Sequence, residues 1–207
     1  MAVELGDIED DEQWDMNQLQ DMRPADIGGR AKEARRLIKH HGTEAFGWYQ
    51  SFHRWDEDTW DIYLNSNNLE DMAAALSLDS GTSYGEALRI ATRKVYWHEL
   101  FHAKTEAAAT WLELGALSPK YLKYTKQVYE VARDKEFWRE EALANWDAMQ
   151  RVKKEYGEQV FKACKELLKF APPGYRHWKI GDDVRTFRIF GSELAEGVPF
   201  DGDEKQP

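Results

Sequence analysis

The sequence predicts an α+β fold, in which a mainly helical domain carries a small antiparallel sheet against one long central helix. Apolar residues recur at helical spacing over most of the chain, whereas residues 45–64 mix aromatic, β-branched and polar residues around an acidic turn. Hydrophobic residues make up 42% of the 207, which is enough for one substantial core. We therefore expect one domain over residues 30–190, between a flexible acidic arm at 1–29 and an acidic tail at 191–207.

Charge and composition argue against several classes of function. The formal net charge is −10, whereas nucleic-acid binding needs a basic surface that neutralises phosphates. No apolar run approaches the roughly 20 residues that span a bilayer, and the N-terminal residues are acidic where a signal peptide would be basic. Cys164 is the single cysteine, which fits a reducing compartment. These features predict a cytoplasmic protein that binds neither nucleic acid nor membrane.

The elements before the long helix follow from local patterns. Arg30 to His41 shows helical spacing and ends in a histidine pair before a glycine. Residues 45–64 predict two antiparallel strands, with His53 as an ordinary surface or core histidine, and residues 69–76 predict a short helix. As an alternative to a disordered arm, apolar residues before Gly28 predict an interaction segment: Trp14, Met16, Leu19 and Met22.

The long helix is predicted over residues 84–114. Ser83 and Glu86 form a capping-box pattern at its start, and apolar residues keep helical spacing throughout. Gly115 provides a C-terminal stop, and no proline interrupts the chain before Pro119.

Further helices and a second hairpin are predicted after this point. Ser118 as N-cap and Pro119 at the first helical position start the next helix. The predicted helices are 119–133, 135–156 and 159–170, the last two separated by Gly157. The stretches H-W-K-I and V-R-T-F-R-I-F, joined by residues 181–183, predict a C-terminal β-hairpin, with a frayed tail after Gly191.

The long helix contains the pattern H-E-x-x-H at residues 98–102. Positions i and i+4 lie on one face of a helix, so His98 and His102 can both bind one metal ion. Glu99 lies beside that face and is the candidate general base, the catalytic residue. Residues 99–102 also read as the E-x-x-H of di-iron bundles, but such sites need a second E-x-x-H, which the chain lacks.

A third ligand must come from elsewhere in the chain. Glu106 continues the row of His98 and His102, but eight residues of helix rise about 12 Å, too far for one ion. A ligand on another helix is therefore expected, and residues 140–148 offer the best distant candidates.

These residues resemble a known family. H-E-x-x-H followed by Glu141-Ala142-Leu143-Ala144-Asn145 resembles the ImmA/IrrE-type minimal gluzincin metallopeptidases, over roughly residues 45–154. The resemblance implies a zincin-like domain that binds Zn2+ through His98, His102 and Glu141. Glu140 is a rival for Glu141, and Asp147 is a candidate to orient a ligating histidine. Phe101 departs from the small residue usual in that family.

The resemblance also implies an activity. A zinc-dependent peptidase would use Glu99 to activate water and cleave an intracellular protein, and the resemblance makes a regulatory protein the expected target. The strand with Ile62 and Tyr63 is the candidate substrate-binding edge, and Tyr175 or His177 could assist the oxyanion. The alternative is a catalytically idle zincin-like domain that regulates or binds another protein.

Overall fold

The structure, a computed structural model, describes residues 24–53, 60–132 and 138–199. The described chain is mainly helical with one two-stranded antiparallel sheet, which confirms the predicted fold class. The predicted interaction segment at residues 14–22, and most of the arm and tail, lie outside the described residues.

The elements follow one another with short connections. The first half consists of α1 (Pro24–His41), a 3-10 turn (Gly42–Ala45), β1 (Gly47–Gln50), β2 (Asp61–Leu64), α2 (Ser66–Ser80) and α3 (Tyr84–Ala116). The second half consists of α4 (Lys120–Tyr124), a π-helical turn (Thr125–Tyr129), α5 (Glu130–Ala132), α6 (Arg139–Leu168), α7 (Pro173–Arg176), a 3-10 turn (Trp178–Asp182) and α8 (Val184–Glu196).

Helix α3 is the long helix that the sequence predicts. The Ser83 hydroxyl accepts from the Glu86 N–H at 3.3 Å, so the predicted N-cap is confirmed. The predicted stop at Gly115 is wrong: the helix continues to Ala116, and Leu117 ends it in the left-handed region with φ 51°. Its buried face packs against α2 and α6.

None of the described helices is both long and apolar enough to cross a membrane.

The sheet is the predicted first hairpin, and β1 lies against α3. The register pairs Gly47 with Leu64 and Gln50 with Asp61, and the Asn65 N–H donates to the Phe46 carbonyl. Because bonded and non-bonded pairs alternate in an antiparallel ladder, the backbone groups of Gly47 and Tyr49 point away from β2. A Cβ on Gly47 would lie 2.8 Å from Val95 Cγ1, so glycine allows β1 to approach α3 closely.

Helix α6 supplies the second wall of the core. Gly157, with φ 83°, interrupts the helical backbone, as the predicted separation at this residue requires. Residues on both sides of Gly157 belong to the main core, among them Met149 before it and Leu167 after it, and α6 packs against α3 and α2. The predicted start of this helix at residue 135 lies outside the described residues.

The predicted C-terminal hairpin is wrong, because both stretches are helical. The Asp183 side chain caps α8 by accepting from the Arg185 N–H at 2.9 Å. Phe190 and Leu194 lie one turn apart and pack with Tyr124 in a second apolar cluster. Helical spacing and the cap outweigh the strand-like composition of this stretch.

Three boundaries also differ from the predictions. Helix α1 begins at Pro24, before the predicted domain start, and α8 continues past Gly191 to Glu196. Ser118 does not cap the following helix: Pro119 is the residue before it and makes no capping bond. Residues 120–132 form two short α-helices around a π-helical turn, because the backbone bonding widens there by one residue.

Candidate metal centre

Helices α3 and α6 bring three metal-ligating side chains together. His98 and His102 extend from α3, and Glu141 extends from the first turn of α6. All three are buried, and one ligating atom from each lies within 4.8 Å of the others. Among the described residues this is the one group of three or more such side chains close enough to hold a metal ion.

The three side chains approach one another closely, with a different oxygen of Glu141 nearest to each histidine. His98 Nε2 lies 3.3 Å from His102 Nε2 and 3.0 Å from Glu141 Oε2, and His102 Nε2 lies 3.4 Å from Glu141 Oε1. Ligands bound at about 2.0–2.1 Å around a tetrahedral ion stand about 3.3 Å apart. The two imidazoles and the carboxylate could therefore hold a metal ion.

Two tyrosines and a second glutamate orient this donor set. Glu140 Oε1 accepts from His102 Nδ1 at 2.7 Å, which turns Nε2 toward the ligand position. The Tyr124 hydroxyl donates to Glu140 Oε2 at 2.7 Å, and the Tyr129 hydroxyl donates to Glu141 Oε1 at 2.7 Å. Glu140 thus lies behind a histidine, where carboxylates commonly hold a metal-ligating imidazole.

The charges favour a bound cation. Burial lowers the pKa of His98 to about 4. Burial alone would also lower the pKa of His102, but the Glu141 and Glu140 carboxylates raise it well above its usual value. Burial opposes ionisation of Glu141, yet His102 and His98 hold its pKa well below the usual range. Two buried carboxylates therefore face two imidazoles, and a metal ion would balance the excess negative charge.

Glu99 lies beside the donor set. Its side chain is buried, and the backbone N–H of Tyr49 in β1 donates to its carboxylate. Glu99 Oε1 has no hydrogen-bond partner among the described residues. Burial raises the pKa of Glu99 to about 8. One carboxylate oxygen is thus held by the protein, and the other is available to a water molecule or a substrate.

Glu106 lies apart from the donor set, as its helical rise predicts. It is completely buried and accepts from residues at the end of β1, among them Ser51 Oγ at 2.5 Å. His53 is a core histidine, bonded to Glu106 through Nδ1 and to Glu113 through Nε2. Asp147 pairs with Arg151 on its own helix at 3.0 Å and does not bond to a ligating histidine.

The other predicted site residues lie at varied positions. Tyr175 is buried and stacks on the His98 ring, with centroids 6.3 Å apart and planes inclined by 20°. His177 immediately precedes the 3-10 turn at Trp178–Asp182. Ile62 and Tyr63 lie on β2, and the opposite edge of β1 carries the Tyr49 N–H that reaches Glu99. Their role in binding substrate stays a prediction.

Several residues around the site were not predicted from the sequence. Tyr124 and Tyr129 lie on an irregular helical segment, where no spacing rule indicates the direction of a side chain. Lys94 gave a usable signal, because a lysine one turn before His98 interrupts an apolar helix face. Its ammonium is buried without a hydrogen-bond partner in the described structure, and burial lowers its pKa.

The chain matches no protein-family model, no curated protein and no solved structure. The geometry of the site therefore carries the functional argument by itself.

Proposed function

We propose that the protein is a zinc-dependent peptidase with His98, His102 and Glu141 as ligands and Glu99 as general base. The observation that carries the proposal is the convergence of three buried ligating atoms, all within 4.8 Å of one another, beside a buried glutamate with one unbonded oxygen. Two histidines and one carboxylate are a donor set that catalytic zinc sites use, with a fourth position left for water.

Zinc bound there would act as a Lewis acid and lower the pKa of a water molecule. Glu99 accepts a proton from the attacking water through Oε1 and returns it to the leaving amide nitrogen. The Tyr49 N–H keeps the other oxygen of Glu99 in place, and Glu140 keeps the His102 ring in the ligating orientation. The side chains of Glu99, Glu140 and His102 are buried, so few bulk water molecules compete for their hydrogen bonds.

An extended peptide suits the sheet beside the site. The outer edge of β1 faces the side on which Glu99 lies, and since the Tyr49 N–H donates to Glu99, the other outward backbone groups of Gly47 and Tyr49 would be the ones that pair with a peptide. Backbone pairing with a strand edge is a common mode of peptide recognition. We propose β1 as the nearer edge, and a substrate that also reaches β2 would contact Ile62 and Tyr63.

The same proposal includes an intracellular protein as substrate. Cys164 is the single cysteine in the sequence, and it is fully buried in the main core. A protein without disulfide bonds suits the reducing cytoplasm. The net charge of −10 favours a protein partner over nucleic acid.

Metal analysis together with an unbiased cleavage assay tests the proposal. Wild type, Glu99→Gln and Glu141→Ala are purified, assayed for zinc, and incubated with a proteome-derived peptide library whose new termini are identified by mass spectrometry. Wild type should carry about one zinc and cleave. Glu99→Gln should keep zinc and lose about 10²–10⁴-fold in rate, and Glu141→Ala should lose zinc.

A matched control uses Glu113→Gln, a glutamate on the same helix whose carboxylate is recorded as bonding to His53 and Tyr121 and not to a proposed ligand. Its zinc content and its cleavage should equal those of the wild type. Zinc without cleavage in the wild type would instead favour the idle, protein-binding domain. A wild-type protein that takes up no zinc contradicts both functions.

A further inference from the structure

A second buried carboxylate on α3 holds the end of β1. Beyond the last ladder pair, Gln50 with Asp61, the chain continues along α3 toward Glu106. Tyr49 bonds to Glu99 and His53 bonds to Glu106, so the chain follows α3 in the same direction as the helix. Seven residues of helix span about 10 Å, and four extended residues span a comparable length.

Glu106 collects five donors from this short segment. Oε1 accepts from Ser51 Oγ at 2.5 Å, from the His53 N–H at 2.9 Å and from His53 Nδ1. Oε2 accepts from the Phe52 N–H at 3.2 Å and from the Tyr49 hydroxyl. Two of these donors are backbone groups beyond the last ladder pair, so Glu106 takes the place of a partner strand. Such a saturated, buried carboxylate is rigidly located.

Tyr49 connects the two carboxylates. Its backbone N–H donates to Glu99, and its hydroxyl donates to Glu106. The backbone and the side chain of Tyr49 are therefore both bonded to α3, and together these bonds determine where Tyr49 lies along the helix. A shift of β1 along the helix would break both bonds together.

We propose that Glu106 is a positioning residue for Glu99, acting through Tyr49 and the end of β1. This inference rests on the proposed function, because it gives Glu99 its role as general base. Glu106 itself lies two helical turns from Glu99, and the recorded hydrogen bonds of its carboxylate go to residues 49–53 and not to a ligating side chain. Its effect reaches the site through the Tyr49 N–H, which sets the direction of the Glu99 carboxylate and leaves Oε1 unbonded.

Glu113 provides a matched control for a merely structural role. It bonds the other nitrogen of His53, Nε2, at 2.9 Å, and it accepts from the Tyr121 N–H at 2.8 Å. It has no bond to Tyr49, Ser51 or Phe52 among those the structure records. Loss of Glu113 therefore disturbs the same histidine without releasing β1 from α3.

The test measures the binding of acetohydroxamate to the Co2+-loaded protein by visible absorbance. A hydroxamate binds the metal and also offers polar hydrogens to a neighbouring carboxylate, so its affinity reports where Glu99 points at constant metal content. Glu99→Gln should weaken binding by about tenfold or more, and Glu106→Gln by about fivefold. Glu113→Gln should remain within about twofold of the wild type.

The double variant separates positioning from general damage. In a Glu99→Gln background, Glu106→Gln should cause no further loss of hydroxamate affinity, because it acts through Glu99. An equal loss in both backgrounds overturns the inference. Unchanged affinity in Glu106→Gln also overturns it, provided that Glu99→Gln weakens binding.

Two further comparisons distinguish a failure of this inference from a failure of the proposed function. If Glu106→Gln does not fold, Tyr49→Phe tests the inference in its place. This variant removes only the hydroxyl that bonds to Glu106, and it should weaken hydroxamate binding by about threefold. Unchanged binding in Tyr49→Phe would then overturn the inference. A wild type that takes up no cobalt, or an affinity that Glu99→Gln leaves unchanged, contradicts the proposed function instead.

Discussion

Two buried clusters of histidine and glutamate lie along α3, and they differ in how their side chains are arranged. In the first, His98, His102 and Glu141 direct one atom each toward a common point. In the second, His53 lies between Glu106 and Glu113, and each ring nitrogen has its own carboxylate. The same residue types thus build a candidate metal site in one place and, in the other, a hydrogen-bonded cluster that holds the loop after β1 against α3.

The two clusters differ because different secondary-structure elements supply their side chains. Two histidines one helical turn apart share a direction, and α6 brings a carboxylate from across the interface to complete the set. In the second cluster both carboxylates belong to α3, seven residues apart, and they hold the single imidazole of the loop after β1 from two sides. Two donors one turn apart on a helix can share an ion, whereas donors two turns apart on it spread too far, so a third ligand requires a second element.

Removing the α6 carboxylate should have the largest effect. Glu141→Ala should lower the zinc affinity by more than about 100-fold, because a ligand matters more than the outer partners whose loss costs 10–100-fold. The affinity is measured by competition with a chromophoric chelator. Glu106→Gln, in the other cluster, should stay within about threefold of the wild type. A comparable loss of zinc affinity in both variants would mean that the second cluster also takes part in metal binding.

Zinc should stabilise the protein only through the first cluster. At a free concentration 100 times its Kd, zinc should raise the free energy of unfolding by about 2.7 kcal/mol. Urea unfolding with zinc or with EDTA measures the increment. Glu106→Gln should lower the baseline by about 1–3 kcal/mol, because it disturbs a buried hydrogen-bonded charge. It should nevertheless keep the increment, which Glu141→Ala should lose.

Glu140 and Glu113 form a matched pair for a smaller effect. Each accepts from one nitrogen of a buried histidine, but only the histidine of Glu140 is a proposed ligand. Glu140→Gln should reduce the zinc affinity by about 10–100-fold. Glu113→Gln should leave it unchanged in the same chelator competition, and the reverse order would mean that His53 belongs to the metal site.

The smallest expected effect concerns Tyr129. Its hydroxyl donates to Glu141 Oε1, so Tyr129→Phe should weaken zinc binding by about fivefold, the equivalent of one hydrogen bond of about 1 kcal/mol. Tyr96→Phe is a suitable control, because Tyr96 is an exposed residue on α3. An unchanged affinity in Tyr129→Phe would show that Glu141 keeps its orientation without this bond.

Local chemistry made much of this structure predictable. The capping box at Ser83, the helical spacing after it and the interval between His98 and His102 all act within one helix, where the backbone geometry is regular. The hairpin and the break at Gly157 follow in the same way from short-range patterns. The C-terminal helix was missed because its stretch combines strand-like composition with helical spacing, and packing against Tyr124 decides between them.

Helix pitch alone places His98 and His102 on one face of α3 with Glu99 beside it, so this part of the site is predictable from the residues. The convergence of Glu141 with the histidines, and the position of Glu140 behind His102, depend on how α6 packs against α3. The physical reason is that adjacent residues on α6 point about 100° apart, and the angle at which α6 meets α3 selects between them. The same packing assigns Glu106 to β1, since that carboxylate is stable in the core only where five donors surround it.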